Sequence, residues 1–340
     1  MWEYLLAALV GLGAAAVVFF VFASSDQTDC YRKSVTISIS YSDDNLPGCR
    51  FPAFAEVRKQ VSEQRDRRDS DEGFVPNEPE PVRGKATLLV WISLFSATAG
   101  LAGFSAVRSI YMIFLDMKPR WRVSTNGIVA SGGLTFLILL VPYLSLRVVG
   151  DWDLSPFDEL HMTQIRWMTV FVLVLSFPAA TGLRVIGHIL RKHADLAMDD
   201  VAVLGSQLRT LISMLGGIVS LAVLGTAARW QAIDALPGGE SVPGTIVLLW
   251  GGVYALALAA LYIPVHERWA SAARRTISLE VARQVPPSET AGTIGFTIPE
   301  LSARKELQSS FGLGGALSTL QGSLAVLAPI IAAAASSLFS

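Results

Sequence analysis

The sequence predicts an all-α polytopic integral membrane protein of about seven transmembrane helices, carrying a small, disulfide-closed, β-containing insert outside the cytoplasm. Three observations lead there. Of the 340 residues, 52% are hydrophobic and only 16% charged, whereas soluble domains hold roughly 25% charged residues. The apolar residues gather in blocks of about the 20 residues that a helix needs to cross hydrocarbon. Between the blocks, Lys and Arg are sorted to alternate loops. This composition excludes intrinsic disorder and collagen-like repeats, and it argues against an ordinary aqueous enzyme.

Seven segments have the length and character of spans: Tyr4–Phe22, Ala86–Phe114, Ile128–Leu146, Trp167–Ile189, Leu211–Ala228, Ile246–Val265 and Leu313–Leu338. The last is rich in Ala, Gly and Ser, so surface packing or a buried hairpin is the alternative to crossing. The first resembles a signal peptide in its position and in the small residues that follow it. However, its leading residues include Glu3 and no Lys or Arg, and its apolar run exceeds the ~7–15 residues of a secretory signal, so an uncleaved anchor is expected.

Orientation follows from the short loops. Lys118, Arg120, Arg122, Arg184, Arg191, Lys192, Arg209, Arg268, Arg274, Arg275, Arg283, Arg304 and Lys305 fall on one side. Opposite them lie Arg147, Arg166 and Arg229, beside Asp151, Asp153, Asp158, Glu159, Asp234 and Glu240. The basic side is the expected cytoplasmic one. The N-terminus is then cytoplasmic, residues 24–85 are extracytoplasmic, and the protein resides in the plasma or inner membrane. Trp2, Trp91, Trp121, Trp152, Trp167, Trp230, Trp250 and Trp269 all fall near predicted span ends, as indole at the headgroup boundary would.

The chain therefore divides into an anchor (1–23), an extracytoplasmic insert and linker (24–85), a five-helix membrane core (86–266), a cytoplasmic segment with an amphipathic helix (267–311) and a C-terminal hydrophobic helix (312–340). In the insert, Val35, Ile37, Ile39 and Tyr41 alternate with Thr36, Ser38, Ser40 and Ser42, the period of a half-buried strand. The turn-forming run from Asp43 to Gly48 follows. Cys30 and Cys49 bracket both; bonded, they would close a loop of about 20 residues and contribute about 3 kcal/mol on the chain-entropy estimate. Two free thiols are the alternative. The acidic, Pro-rich stretch from Asp69 to Arg83 reads as a linker.

Catalysis has no candidate in this sequence, and no enzymatic activity is expected. HExxH, GxSxG, Walker A and GxGxxG patterns are missing, and His161, His188, His193 and His266 lack metal-ligand spacing, so no cofactor is implied. Arg108, Arg147, Arg184, His188 and Arg229 sit near span ends, where long side chains reach water, rather than at mid-membrane as a proton relay requires. Pro142 and Pro178 interrupt spans three and four and are candidate hinges. Small residues recur every fourth position at Ala7, Gly11 and Ala15, and at Gly251, Ala255 and Ala259, a spacing that lets helix backbones approach closely.

Beyond an amphipathic helix expected over Pro299–Phe311, Leu313, Leu317, Leu320, Leu324, Leu327 and Ile331 alternate spacings of four and three. That is the repeat of helices wrapping round one another, and it suggests a homo-oligomer. A second face carries Gly315, Ser318, Thr319, Gly322 and Ser323, with Gln321 between. Ser318, Thr319, Gln321 and Ser323 are candidate pore-lining residues, since hydroxyls can replace part of an ion's hydration. The expected function is accordingly an oligomeric channel or pore, with a non-conducting anchor or sensor-scaffold for partner proteins as the alternative. The bilayer is the certain partner and nucleic acid has no signature. Arg191, Lys192, Arg274 and Arg275 could meet an anionic lipid or a cytoplasmic regulatory ligand, although fixing topology is their simpler role.

Overall fold

The computed structural model describes residues 2–23, 80–114, 121, 123–150, 156–193, 196–234, 244–284, 298–310 and 326–334. Every described element is a helix: α1 (Trp2–Ala23), α2 (Glu80–Phe114), α3 (Thr125–Gly150), α4 (Pro156–Lys192), α5 (Met198–Asp234), α6 (Gly244–Gln284), α7 (Ile298–Ser310) and α8 (326–334). Five are long and apolar enough to cross a membrane, over Trp2–Phe20, Leu89–Ile113, Trp167–Lys192, Met198–Gln231 and Val247–Arg283. They match five of the expected spans, and the chain is an integral membrane protein. The third expected span falls in α3, which holds the apolar helical stretch Thr125–Leu140. Of the seventh, only α8 is described. Cys30, Cys49 and the expected strand lie outside the described residues.

Local chemistry sets the helix ends. Ser124 caps α3, its Oγ accepting from the Gly127 amide at 3.3 Å and its carbonyl from Ile128 at 3.1 Å. Asp199 and Asp200 occupy the first turn of α5, and Arg191 and Lys192 the last turn of α4, each matching the helix dipole. Within the membrane helices, most described hydroxyls satisfy themselves. Ser96, Thr98, Ser109, Thr135, Ser176, Ser220 and Thr226 each donate to the carbonyl four residues back, at 2.6–2.9 Å. Such bonds make a hydroxyl tolerable against lipid or apolar neighbours without any functional role.

Adjacent helices alternate in direction. Along the α1–α2 hairpin, Glu3 meets Arg108, Gly11 meets Gly100, and Val18 clusters with Ile92, a steadily descending antiparallel register. The backbones touch at the crossing: a Cβ on Gly11 would lie 2.7 Å from the Gly100 carbonyl oxygen. This is the close approach that the stripe of small residues permits. α2 then packs on α4 and α5, and α5 on α6. Leu183, Leu204, Leu208, Leu211, Leu261 and Ile277, all at most 1% exposed, fill the space between α4, α5 and α6. α3 lies across α4 and α6.

The basic stretches read as loops are largely helical. α4 runs to Lys192 and α5 starts at Met198, so their junction is short. α6 passes without interruption through Pro264 and across position 266, where the membrane core was expected to end, to Gln284. At 41 residues it measures about 61 Å, twice the ~30 Å of bilayer hydrocarbon. A proline inside a helix removes one hydrogen bond, here to the Ala260 carbonyl, yet the buried Leu261, Val265 and Trp269 hold α6 against its neighbours on both sides of that gap. α7 confirms the expected helix within one residue at each end and packs on α6. α2 begins at Glu80, inside the stretch read as linker.

Candidate functional site

Few of the sequence-selected residues come together. Ser318, Thr319, Gln321 and Ser323, together with Leu313, Leu317, Leu320 and Leu324, lie outside the described residues. Leu327 belongs to α8 and is 46% exposed, as is Ile331 at 52%, so this part of the heptad face points away from the bundle. Its opposite face is packed inward: Val326, Pro329 and Ala333 are buried, and a Cβ on Gly251 of α6 would lie 2.7 Å from the Pro329 carbonyl oxygen. Pro142 falls within α3 and Pro178 within α4. Arg191, Lys192, Arg274 and Arg275 are all exposed at one end of the bundle.

That end collects the N-termini of α1, α3 and α5 and the C-terminal portions of α2, α4 and α6. On α6, one turn apart, the rings of Tyr262 and His266 stack at 5.1 Å, and those of His266 and Trp269 at 5.6 Å. Trp269 is 5% exposed and donates its Nε1–H to the Val201 carbonyl of α5 at 2.9 Å. Gly205 makes room for the indole, since a Cβ there would meet Trp269 Nε1 at 2.5 Å. Arg209 stands over the same ring at 6.0 Å, at the outer limit of a cation–π contact. Trp269 is thus a packing residue that locks α5 to α6, rather than a member of an interfacial belt.

A second arrangement lies where α3 crosses α4 and α6. Helical spacing puts Phe177, Thr181, Arg184 and His188 of α4 in one stripe. The stripe faces α3 at both ends: Phe177 lies against Gly132, and His188 Nε2 would be 3.5 Å from a Cβ on Gly127. Thr181 and Arg184 sit between those two contacts. From α6, Arg268 reaches over Gly187 and donates to its carbonyl oxygen at 3.4 Å. There its charge repels that of Arg184. Thr181 is 7% exposed, and its Oγ1 has no hydrogen-bond partner among the described residues. The N-terminal turn of α3, with its capped amides, starts beside His188.

Sequence reasoning placed Arg184 and His188 near a span end but did not join them to Arg268, because no local spacing relates positions on α4 and α6. The available signal was Arg184 itself, a charge inside the apolar stretch Trp167–Lys192 of α4. Chemically this crossing offers cationic donors and a hydroxyl, with no paired carboxylates for acid–base work among the described residues. Among the described residues, no group of three or more His, Cys, Asp or Glu side chains gathers as a metal would require. Comparison with protein-family models, curated proteins and solved structures yields no match for this chain.

Proposed function

We propose that this protein is a non-conducting membrane scaffold, holding a rigid helical projection at one face of the bilayer for a partner protein to engage. The supporting observation is the length of α6. A helix tilted by about 20° needs only some 20–22 residues to cross the hydrocarbon, so about half of its 41 residues stand clear of it. Arg268, Arg274, Arg275 and Arg283 put the surplus at the C-terminal end, and the positive-inside rule makes that end cytoplasmic. The start of α5 and the amphipathic α7 brace it. Leu279 of α6 and Leu301 of α7 are 58% and 50% exposed there, where lipid no longer covers them. The apolar packing of α4, α5 and α6 supports a solid bundle rather than a conduit.

Photo-crosslinking in cells tests this. A crosslinker at Leu279 or Leu301 should give discrete protein adducts, while one at Leu249 or Leu256, on the lipid-facing part of α6, should give none. Adducts from neither pair would overturn the scaffold reading.

The channel reading has one observation of its own. Leu327 and Ile331 turn the heptad face of α8 outward, where a second copy could pack on it and a path could form between subunits. Conductance of the purified oligomer in a planar bilayer decides between the two. Unitary currents altered by Leu in place of Ser318 and Thr319 would establish the pore; silence from an intact oligomer would exclude it.

A further inference from the structure

We propose that the groove between α3, α4 and α6 binds a phosphate-bearing anion, with Arg184 and Arg268 as its charged ligands and Thr181, His188 and the α3 N-terminal turn completing the site. The argument starts from cost. Two guanidiniums placed on neighbouring helices repel each other, and a protein tolerates that where a counter-charge arrives from elsewhere. No carboxylate supplies it: among the described residues, neither Arg184 nor Arg268 makes an ion pair. Arg268 spends one N–H on the Gly187 carbonyl, which fixes its guanidinium over the groove and leaves its other donors available. Glu267, its neighbour in sequence, is exposed and forms no ion pair with either arginine.

The remaining partners suit an oxyanion. The α3 N-terminus brings the positive end of a helix dipole to His188. Thr181, one turn deeper than Arg184, offers a buried hydroxyl that nothing else in the described structure uses. Guanidinium pairs with an adjacent hydroxyl donor match the tetrahedral, multiply accepting shape of phosphate better than that of a single carboxylate.

Depth suggests the source. Arg184 stands eight residues before the end of the apolar stretch Trp167–Lys192, about 12 Å along the helix axis. That is just inside the hydrocarbon, from where a long side chain reaches the headgroup level, and basic pockets between helices there take anionic lipid headgroups. A soluble phosphate compound entering from the same face would meet the same donors.

The test uses the full-length protein in neutral detergent, with thermal unfolding followed on addition of phosphatidylglycerol, phosphatidylcholine or inorganic phosphate. Phosphatidylglycerol should raise the unfolding temperature saturably, with an apparent affinity at least tenfold weaker in Arg268→Gln and Arg184→Gln and unchanged in Arg275→Gln. Arg268 is exposed, so its variant keeps the test available if Arg184→Gln does not fold; Arg184→Lys then retains the charge and should bind at intermediate strength. Stabilisation by phosphatidylglycerol alone assigns the site to lipid. Equal, Arg268-dependent stabilisation by inorganic phosphate assigns it to a soluble phosphate. The site is overturned if neither anion stabilises, if phosphatidylcholine does so equally, or if the response survives intact in Arg268→Gln.

Discussion

Glu3 of α1 and Arg108 of α2 form an ion pair at 2.9 Å, their side chains only 15% and 12% exposed. The Tyr4 ring lies 4.6 Å from the same guanidinium. Sequence reasoning let Arg108 snorkel to water on its own. Instead the pair neutralises both groups where the hairpin enters the membrane, and it fixes the register in which Gly11 can reach Gly100. Removing one partner leaves a largely buried charge behind. Arg108→Gln and Glu3→Gln should each destabilise the protein by about 1–3 kcal/mol, and the double variant by less than their sum. Thermal unfolding of the four proteins of the cycle measures the coupling, and a value near zero would mean that water, not the partner, satisfies each charge.

Glycines on α1 separate packing from composition. A Cβ on Gly11 would overlap the α2 backbone, whereas Gly13 has nothing within 4 Å of that position. Gly11→Leu should therefore push α1 away from α2, while Gly13→Leu adds an apolar side chain to a lipid-facing surface. We expect Gly11→Leu to lower the unfolding temperature by several degrees, since backbone cannot yield as a side chain would. Gly13→Leu should stay within a degree or so of wild type. Equal losses would show that α1 does not cross α2 at Gly11.

The hydrogen bond from Trp269 to Val201 joins α5 to α6 at the basic end. Trp269→Phe keeps most of the ring volume but removes this bond, which costs roughly 0.5–1.5 kcal/mol, since the Val201 carbonyl lies within α5 and keeps its place in the helical ladder. Gly205→Ala should cost at least as much, because the indole must leave its place. Denaturant unfolding of both variants, compared with the exposed Ser206→Ala, measures the effect. A loss confined to Gly205→Ala would assign the stability to shape alone.

The membrane architecture was readable in the sequence because lipid imposes a simple rule: an apolar run of the right length has one structural outcome. Three of the five spans follow from that rule with small errors at their ends, whereas the helix of the fifth starts 13 residues early and that of the sixth ends 18 residues late. Its limit is equally physical. Hydropathy falls where charges begin, so Arg268, Arg274 and Arg275 ended the expected sixth span at Val265, although a helix can continue in water as readily as in lipid. Pro264 points the same way, since nothing local announces that Val265 and Trp269 would pack firmly enough to carry α6 past it. The groove of Arg184 and Arg268 was hidden for a different reason. It joins residues on separate helices, and helix pairing is set by contacts such as Gly187 against Val265 that leave no periodic trace. The small residue at Gly11 could be recognised as a crossing point, yet Gly100 could not be named as its partner.

Sidedness is the prediction with the widest consequence, because the projecting end of α6 meets a partner protein only if it faces the cytoplasm. The structure brings the ends of α4 and α6 and the start of α5 to one face, so a single accessibility measurement orients them all. In a Cys30→Ser, Cys49→Ser background, Ser271→Cys places a thiol on the exposed side of α6 among its arginines, and Trp167→Cys places one at the opposite end of α4, where the native residue is 70% exposed. A membrane-impermeant maleimide should label Trp167→Cys in intact cells and Ser271→Cys only after the membrane is opened. The positive-inside rule rests on the excess of Lys and Arg beside short connections. At the opposite end Arg229 is 7% exposed and lies 5.2 Å from the Trp230 ring, so it is drawn into the bundle instead of contributing to a charged surface. Labelling of Ser271→Cys in intact cells would invert the whole bundle, and with it the face on which the phosphate groove opens.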